Sequence, residues 1–253
     1  MGMKRKTWNL HGKDVLYVEE NHDGRYGAPG QKRTKRKKPT KEDMQKVNAW
    51  NKKKKAQMKL LQYFNSGDIF ATLTYRPDER PPDMRGAVKD FGKMMDVIRR
   101  EYKKRGKPLF WIRNIEQGTK GAWHIHMAIS NTGDTAAILE KAWNHGGVYV
   151  SKIRNSSFYD QDFSKLAAYI TKDEKTREKK KDGTSGKPRL RNASYNTSRN
   201  MPLPEPKKKK LKRWQEEPKP RKGYYIARIH EGINPVTGYK YRHYTMIRIN
   251  RRI

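Results

Sequence analysis

The sequence predicts an α+β fold built on a ferredoxin-like or RRM-like antiparallel sheet. Between residues 69 and 153, segments rich in β-branched and aromatic residues alternate with segments of helical periodicity. Their order is β-α-β-β-α-β, the split β-α-β pattern, and one more helix follows. Strongly basic sequence flanks this region. A basic helix is predicted before the sheet, and two segments that alternate like strands predict a β-hairpin after it.

The composition is strongly basic. Lys and Arg number 60 and Asp and Glu 26 among 253 residues, which gives a formal net charge of +34. A charge of this size is typical of proteins that bind polyanions, with nucleic acid the first candidate. A ribosomal or chromatin-like protein without catalytic activity has the same charge balance, so the charge alone does not indicate a reaction that the protein catalyses.

Two absences in the sequence restrict the chemistry and the location. The chain has no cysteine, which excludes disulfides and thiolate zinc sites, so a metal ion would need His and carboxylate ligands. No apolar run reaches membrane-spanning length, and the N-terminal residues lack the apolar stretch of a signal peptide. We therefore expect a cytoplasmic protein without a membrane partner.

Residues 1–66 are predicted to form a basic arm and a helix. Residues 1–40 are rich in Gly, Lys and Arg and include the basic block 31–38, a composition typical of flexible segments that lie on phosphate. Thr40 stands three residues before Asp43, a variant of the capping box. This spacing predicts a basic helix that begins there and ends near Phe64.

The central region supplies the predicted sheet and its helices. Strands are expected over 69–75, 109–116, 123–129 and 148–153, and helices over 83–102, 134–143 and 162–173. The sequence 117–121 contains two glycines and predicts a tight turn between the second and third of these strands.

The C-terminal region divides into an arm and a hairpin. Lysine runs and five prolines predict an extended basic arm over residues 176–222. Residues 223–253 are predicted to form a hairpin whose strands, 224–229 and 241–249, are joined at 234–235 and 237–238. Its tyrosines are expected to divide between the hairpin core and stacking on unpaired bases: Tyr224, Tyr225, Tyr239, Tyr241 and Tyr244.

The segment Trp123-His-Ile-His-Met127 places two histidines on one face of a strand, because successive side chains point to opposite faces. If the turn is centred near Lys120, Glu116 lies opposite His124, and Asn114 lies opposite His126. A carboxylate beside two imidazoles is a ligand set that suits Mg²⁺, Mn²⁺ or Zn²⁺. A one-residue slip would move Glu116 to the other face, and a pair of half-buried histidines without a metal is the alternative.

A second motif, Tyr169-Ile-Thr-Lys172, lies on the last predicted helix, where residues three apart are neighbours. A tyrosine hydroxyl is a poor nucleophile at neutral pH, but a neighbouring cation favours the phenolate, and a metal ion on a phosphate makes that phosphate easier to attack. The pair therefore suits phosphodiester transesterification. In a chain with 14 tyrosines and many lysines, a structural role for the pair is the alternative.

Three motifs in order carry a resemblance to a known family. Phe70-Ala-Thr-Leu-Thr-Tyr75, Glu116 with Trp-His-Ile-His-Met127, and Ala-Ala-Tyr169-Ile-Thr-Lys172 resemble the HUH endonuclease superfamily, in particular its rolling-circle replication initiators. The resemblance covers about residues 69–173, and it implies that residues 67–175 form an HUH endonuclease domain. The segment 196–204 also resembles one that follows the helix in some members.

The resemblance implies a site-specific nickase for single-stranded DNA. Tyr169 would be the nucleophile that becomes joined to a 5′-phosphate, and Lys172 would assist it. His124, His126 and Glu116 would bind Mg²⁺ or Mn²⁺. The residues expected to contact DNA are Thr72, Thr74, Arg76 and Arg199.

The resemblance also implies partners and leaves rival functions open. The partners would be single-stranded DNA at a replication origin and, because no Walker-type phosphate loop is present, a host helicase and polymerase in a bacterial cytoplasm. Lys165 and Asp173 occupy the positions four residues from Tyr169, so the motif has one tyrosine. A transposase or relaxase of the same superfamily, and a non-catalytic basic nucleic-acid-binding protein, are the alternatives.

Overall fold

The computed structural model describes residues 3–22, 38–179, 185–188, 190–234 and 239–249. The helices are α1 (Lys41–Tyr63), α2 (Met84–Lys104), α3 (Thr135–Ala142) and α4 (Ser164–Ile170). The strands are β1 (Met3–Leu10), β2 (Val15–His22), β3 (Ile69–Thr74), β4 (Trp111–Gly118), β5 (Trp123–Ile129), β6 (Val148–Lys152), β7 (Arg177–Lys179), β8 (Ser185–Pro188), β9 (Leu190–Thr197), β10 (Lys207–Leu211), β11 (Tyr224–Ile233) and β12 (Lys240–Arg248).

The chain divides into two compact units, which are described separately. One contains residues 63–202, and the other contains residues 1–62 together with 203–253. The sequence analysis divided the chain at different places, into 1–66, 67–175, 176–222 and 223–253. Among the described helices, none is both long and apolar enough to cross a membrane.

The unit of residues 63–202 confirms the α+β prediction. Its five-stranded antiparallel sheet has the order β6-β3-β5-β4-β9, and its first six elements follow the predicted β-α-β-β-α-β order. The odd-numbered side chains of β3 and β5 point into a core with α2 and α3, which cover one face of the sheet. The even-numbered side chains of these strands, including both histidines, are therefore on the opposite face.

Local signals set the ends of several elements as expected. Asp83 caps α2 by accepting a hydrogen bond from the backbone N–H of Gly86 at 2.8 Å. The turn after β4 closes with a hydrogen bond from the Gly118 N–H to the Ala122 carbonyl, also at 2.8 Å. Gly121 has φ = +81°, a conformation that favours glycine. This turn fixes the register of β4 with β5.

The strand β9 differs from the predicted extended arm over 176–222. It pairs with the edge of β4, with Ile112 opposite Thr197 and Glu116 opposite Ala193. Its side chains are mostly exposed or half-buried, so the strand is specified mainly by backbone hydrogen bonds to β4. Backbone pairing leaves little apolar periodicity, which is why the sequence does not reveal this strand.

The other unit is a five-stranded antiparallel sheet with the order β10-β1-β2-β12-β11. The predicted C-terminal hairpin is confirmed as β11 and β12. The predicted basic helix is α1, and Thr40 and Asp43 form its capping box through reciprocal hydrogen bonds of 3.0 and 3.1 Å. Of the hairpin tyrosines, Tyr224, Tyr239 and Tyr244 are buried and Tyr241 is exposed.

Residues 3–22 differ from the predicted flexible arm, because they form the hairpin of β1 and β2. The basic residues of β1 give it no apolar alternation, and its interior side chains are all half-buried. Its buried end, Leu10, leads through a turn into the apolar start of β2, Val15 to Val18. The C-terminal half of the basic arm contributes β10, which pairs with β1. The basic block 31–37, Lys180-Lys181 and the predicted turn residues 235–238 lie outside the described residues.

Candidate active site

The two histidines of β5 lie side by side on the face of the sheet opposite α2 and α3. The ring centroids of His124 and His126 are 6.1 Å apart, and the rings are nearly parallel, at 7°. Thr72 of β3 lies opposite His126 and Thr74 opposite His124. The prediction that both imidazoles share one face is therefore confirmed.

The register of the β4–β5 hairpin is the predicted one. Glu116 lies opposite His124, and Asn114 lies opposite His126. The Glu116 carboxylate is buried, and its Oε2 is 3.5 Å from Nε2 of His126. The structure thus brings together the three residues that the sequence suggested as metal ligands, and their role as ligands stays a prediction.

Tyr169 reaches this cluster from α4. Its hydroxyl is 3.0 Å from Nε2 of His126. The ring of Phe158, in the segment before α4, stacks on the Tyr169 ring with centroids 3.7 Å apart, and Phe70 meets it edge-on at 6.1 Å. Phe158 carries no sequence signal for this role, because only the path of the chain before α4 brings it to the tyrosine.

Lys172 lies just beyond the end of α4, not inside a helix that continues to residue 173. The helix ends at Ile170, and the Lys172 N–H still donates to the Tyr169 carbonyl at 3.3 Å. The Lys172 Nζ is 2.9 Å from Oε2 of Glu116 and 4.0 Å from the centre of the Tyr169 ring. The expected proximity of the tyrosine and the lysine is therefore present despite the shorter helix.

Asn114 is a residue of the site whose role the sequence analysis missed. Its side chain is fully buried, and its Nδ2 donates to Oε1 of Glu116 and to the backbone carbonyl of Lys172, both at 2.9 Å. Its Oδ1 is buried and has no hydrogen-bond partner in the described part of the chain. The available signal was its position two residues before Glu116, which places both side chains on one strand face.

The four predicted DNA-contacting residues lie in different surroundings. Thr72 shares a hydrogen bond of 3.1 Å with Nδ1 of His126, which directs Nε2 of that ring towards Tyr169. Thr74 accepts from the Gly147 N–H at 3.1 Å. Arg76 is exposed and donates to the Asn144 carbonyl, and Arg199 is also exposed. Their contacts with DNA stay predictions.

The surroundings in this cluster shift the pKa values of His124 and Tyr169. Burial, followed by the charge of His126, lowers the pKa of His124, so its ring is neutral at pH 7, the form that binds metal ions. Burial, followed by the negative charge of Glu116, raises the pKa of Tyr169 above its usual range. The sequence predicts that Lys172 favours the phenolate, but burial outweighs that effect and the tyrosine is a neutral phenol.

The donors fit a divalent cation by their chemistry. Among the described residues, the carboxylate and the unpartnered buried amide oxygen of Asn114 are ligand types that suit Mg²⁺ or Mn²⁺, and the two imidazoles suit softer divalent ions such as Zn²⁺. As the side chains are placed, the described residues contain no group of three or more His, Cys, Asp or Glu arranged to hold a metal ion. Glu116 Oε2 is paired with Lys172 instead, and His126 Nε2 faces the Tyr169 hydroxyl.

Comparison with known proteins gives one match to a family model, which covers part of the chain. The family model for replication-associated protein ORF2/G2P matches residues 68–174, the segment that runs from β3 to just beyond α4. No curated protein and no solved structure matches the chain. The segment that resembles a replication-associated protein therefore contains the histidines, Glu116, Tyr169 and Lys172.

Proposed function

We propose that this chain is a metal-dependent endonuclease that nicks and rejoins single-stranded DNA at a replication origin. It would thereby initiate rolling-circle replication of a bacterial plasmid, phage or integrated element. The observation that carries the proposal is the placement of the Tyr169 hydroxyl 3.0 Å from His126, beside the Lys172–Glu116 ion pair. The match of residues 68–174 to a replication-associated family supports the biological role.

The proposed reaction exchanges one phosphodiester for another. The Tyr169 oxygen attacks phosphorus, the bond from phosphorus to the 3′-oxygen breaks, and the phenol proton ends on that oxygen as a 3′-hydroxyl. The enzyme keeps the 5′-phosphate as a tyrosine ester, and the reverse reaction rejoins the strand. Because bond energy is conserved in the ester, rejoining needs no nucleotide cofactor.

The chain's own residues would position the reacting groups and balance the charge that develops in this reaction. Phe158 stacks on the tyrosine ring and limits its rotation, and Thr72 orients His126. The Lys172 ammonium provides positive charge near the attacking oxygen. A divalent cation bound by Glu116, His124 and His126 would supply further positive charge to polarise the phosphate.

The partners follow from the same reaction. The substrate would be origin DNA in single-stranded form, because the tyrosine must reach a phosphate beside unpaired bases. No Walker-type phosphate loop is present in the sequence, so strand separation and synthesis are assigned to a helicase and a polymerase of the host.

The deciding experiment detects the covalent adduct. Labelled single-stranded DNA from the element's own origin is incubated with the protein and Mn²⁺, and the products are resolved under denaturing conditions. We expect a protein–DNA adduct that is lost in Tyr169→Phe and in the presence of a chelator. Tyr159→Phe is the matched control and should keep the adduct, because the Tyr159 ring packs on Phe163.

Two results would contradict the proposal. An adduct that persists in Tyr169→Phe would show that another residue is the nucleophile. No adduct from any origin sequence, with DNA binding intact, would favour a non-catalytic nucleic-acid-binding protein. The metal assignment is tested separately by calorimetric titration with Mn²⁺: unchanged affinity in both His124→Ala and Glu116→Ala would exclude the proposed ligands.

A further inference from the structure

A basic cavity lies in the unit formed by residues 1–62 and 203–253, outside the segment that matches the replication-associated family. Its volume is about 380 Å³. Six of its nine lining residues are cationic and one is acidic. The lining residues are Arg5, Glu20, Lys209, Lys210, Leu211, Lys212, Arg213, Gln215 and Arg242.

The floor of the cavity is a buried ion-pair cluster. Glu20, which is 1% exposed, pairs with Nε of Arg5 at 2.5 Å and with Nε of Arg242 at 2.6 Å. Tyr244 donates to the same carboxylate at 3.2 Å. The negative charge of Glu20 is therefore balanced by two guanidinium groups, and it does not neutralise the lysines around them.

Four of the six cationic residues that line the cavity lack a carboxylate partner among the described residues. In the described part of the chain, Lys209, Lys210, Lys212 and Arg213 form no ion pair with a carboxylate, whereas Arg5 and Arg242 are paired with Glu20. With six cations and one carboxylate, the cavity has a surplus of positive charge. Guanidinium and ammonium groups held in this way are suited to phosphate oxygens.

The strands that form the rim place like charges directly opposite one another. Lys4 faces Lys210, Arg5 faces Lys209 and Lys6 faces Lys208 across the β1–β10 ladder. Neighbouring strands are about 4.8 Å apart, and like charges in such pairs destabilise a sheet. On the other side of β1, Arg5 and Lys6 face Glu20 and Glu19 of β2, so the surplus charge lies mainly on the lysines of β10. A bound polyanion would neutralise that surplus.

We propose that this cavity and the β1–β10 ladder bind the phosphate backbone of a DNA strand, as a second DNA contact besides the Tyr169 site. A polyanion fits better than a small anion, because Lys207 lies on the same face of β10 as Lys209 and carries the positive charge beyond the cavity. The ladder runs from Met3 opposite Leu211 to Thr7 opposite Lys207, about 14 Å from the first residue pair to the fifth, long enough for more than one phosphate. The proposal stands whether or not Tyr169 cleaves DNA.

The test measures binding of the full chain to a fluorescent single-stranded oligonucleotide of arbitrary sequence, with a chelator present. The cavity variant is Lys209→Gln/Lys210→Gln/Arg213→Gln, in which all three side chains are exposed. The control variant is Lys89→Gln/Lys93→Gln/Lys103→Gln, with three exposed cations of α2. Both variants lose three positive charges, so they differ only in whether those charges were at the cavity or on α2.

We expect the cavity variant to bind the oligonucleotide roughly tenfold more weakly, or worse, at moderate salt. The slope of its log affinity against log salt should be less steep by about 2, because each single-strand phosphate contact contributes about −0.7 to that slope. The control variant should stay within a few-fold of the unaltered chain. Equal losses in both variants would show that net charge alone governs binding and would overturn the proposal.

Two further outcomes complete the test. Unchanged affinity and salt dependence in the cavity variant, with its circular dichroism spectrum retained, would also overturn the proposal. Inorganic phosphate at matched ionic strength should not displace the oligonucleotide. Displacement by phosphate would instead identify a site for a small anion and would contradict a backbone-binding role.

Discussion

At the scale of single residues, Tyr169 shows how much the site depends on neighbours from other elements. Its ring lies against Phe158 at 3.7 Å and beneath the Lys172 ammonium at 4.0 Å, and its hydroxyl meets His126. Burial and the charge of Glu116 raise the pKa of the phenol. On the proposed mechanism, the proton therefore leaves during attack on the phosphate and not before it.

Asn114 links the carboxylate and the lysine segment of this site, and its removal gives the first prediction at this scale. Asn114→Ala loses two buried hydrogen bonds, to Glu116 Oε1 and to the Lys172 carbonyl. We expect the free energy of unfolding to fall by about 1–3 kcal/mol. Because Lys172 and Glu116 lose their common anchor, the rate constant for nicking should fall roughly tenfold or more with little change in KM.

Two variants make the Asn114 prediction specific. Asn114→Asp keeps the volume but removes the donor, so it should be as defective as Asn114→Ala. Asn192→Ala is the matched control, since it removes an exposed amide that donates to Gln117 at 2.8 Å on the neighbouring strand pair. Denaturant unfolding and single-turnover nicking measure both effects. Activity of Asn114→Asp equal to that of the unaltered chain would show that the donor is unimportant.

At the scale of elements, the segment before β6 packs unusually close to the end of β3. The Thr74 N–H donates to the Gly147 carbonyl at 2.9 Å, and the Arg76 N–H donates to the His145 carbonyl at 2.8 Å. A Cβ added to Gly146 would overlap the Thr74 carbonyl and lie 2.9 Å from the Arg76 nitrogen. Only glycine fits here, and this contact holds the strand that carries Thr72 and Thr74.

Gly146→Ala should therefore destabilise the chain, by about 1–3 kcal/mol in denaturant unfolding, because the obstructing atoms are backbone and cannot move independently. Gly92→Ala is the matched control. Gly92 lies inside α2 with no atom within 4 Å of an added Cβ, so alanine there should stabilise by up to about 1 kcal/mol. Equal stability of Gly146→Ala and the unaltered chain would contradict the close packing.

Elements with apolar periodicity were predictable, and elements held by backbone pairing were not. The helix α2 buries Phe91, Met94 and Ile98 on one face, and its cap at Asp83 follows the expected pattern. In contrast, β9 and β10 have no buried side chain, because each is the edge partner of another strand. Hydrogen bonding between backbones depends little on side-chain identity, so such strands leave a weak signature in sequence.

At the scale of the whole molecule, the net charge of +34 opposes compaction of the chain. Screening by salt weakens this repulsion more than it weakens buried pairs such as Glu20 with Arg242. We therefore predict that the thermal unfolding midpoint rises between low salt and about 0.5 M NaCl, where the screening length falls to a few ångströms. Circular dichroism at matched protein concentration measures the midpoint.

A sucrose series at matched osmolality is the control for this prediction, because sucrose stabilises without screening charge. A midpoint that falls with NaCl would show that exposed ion pairs, such as Arg105 with Asp134, contribute more than the overall repulsion. In that case the surplus charge would be locally compensated, and the chain would need no polyanion to reach its full stability.

The sequence by itself determined the α+β class, the shared face of His124 and His126, and the register that places Glu116 beside them. These features depend on strand alternation and on a tight turn, which are local. Only the tertiary structure decided that Asn114 joins Glu116 to the end of α4, that Phe158 stacks on Tyr169, and that residues 207–211 pair with β1. The contacts of Asn114 with Lys172 and of β10 with β1 join residues far apart in the chain, and Phe158 reaches Tyr169 through the irregular segment before α4. Such contacts follow from how the whole chain closes, which local residue patterns do not encode.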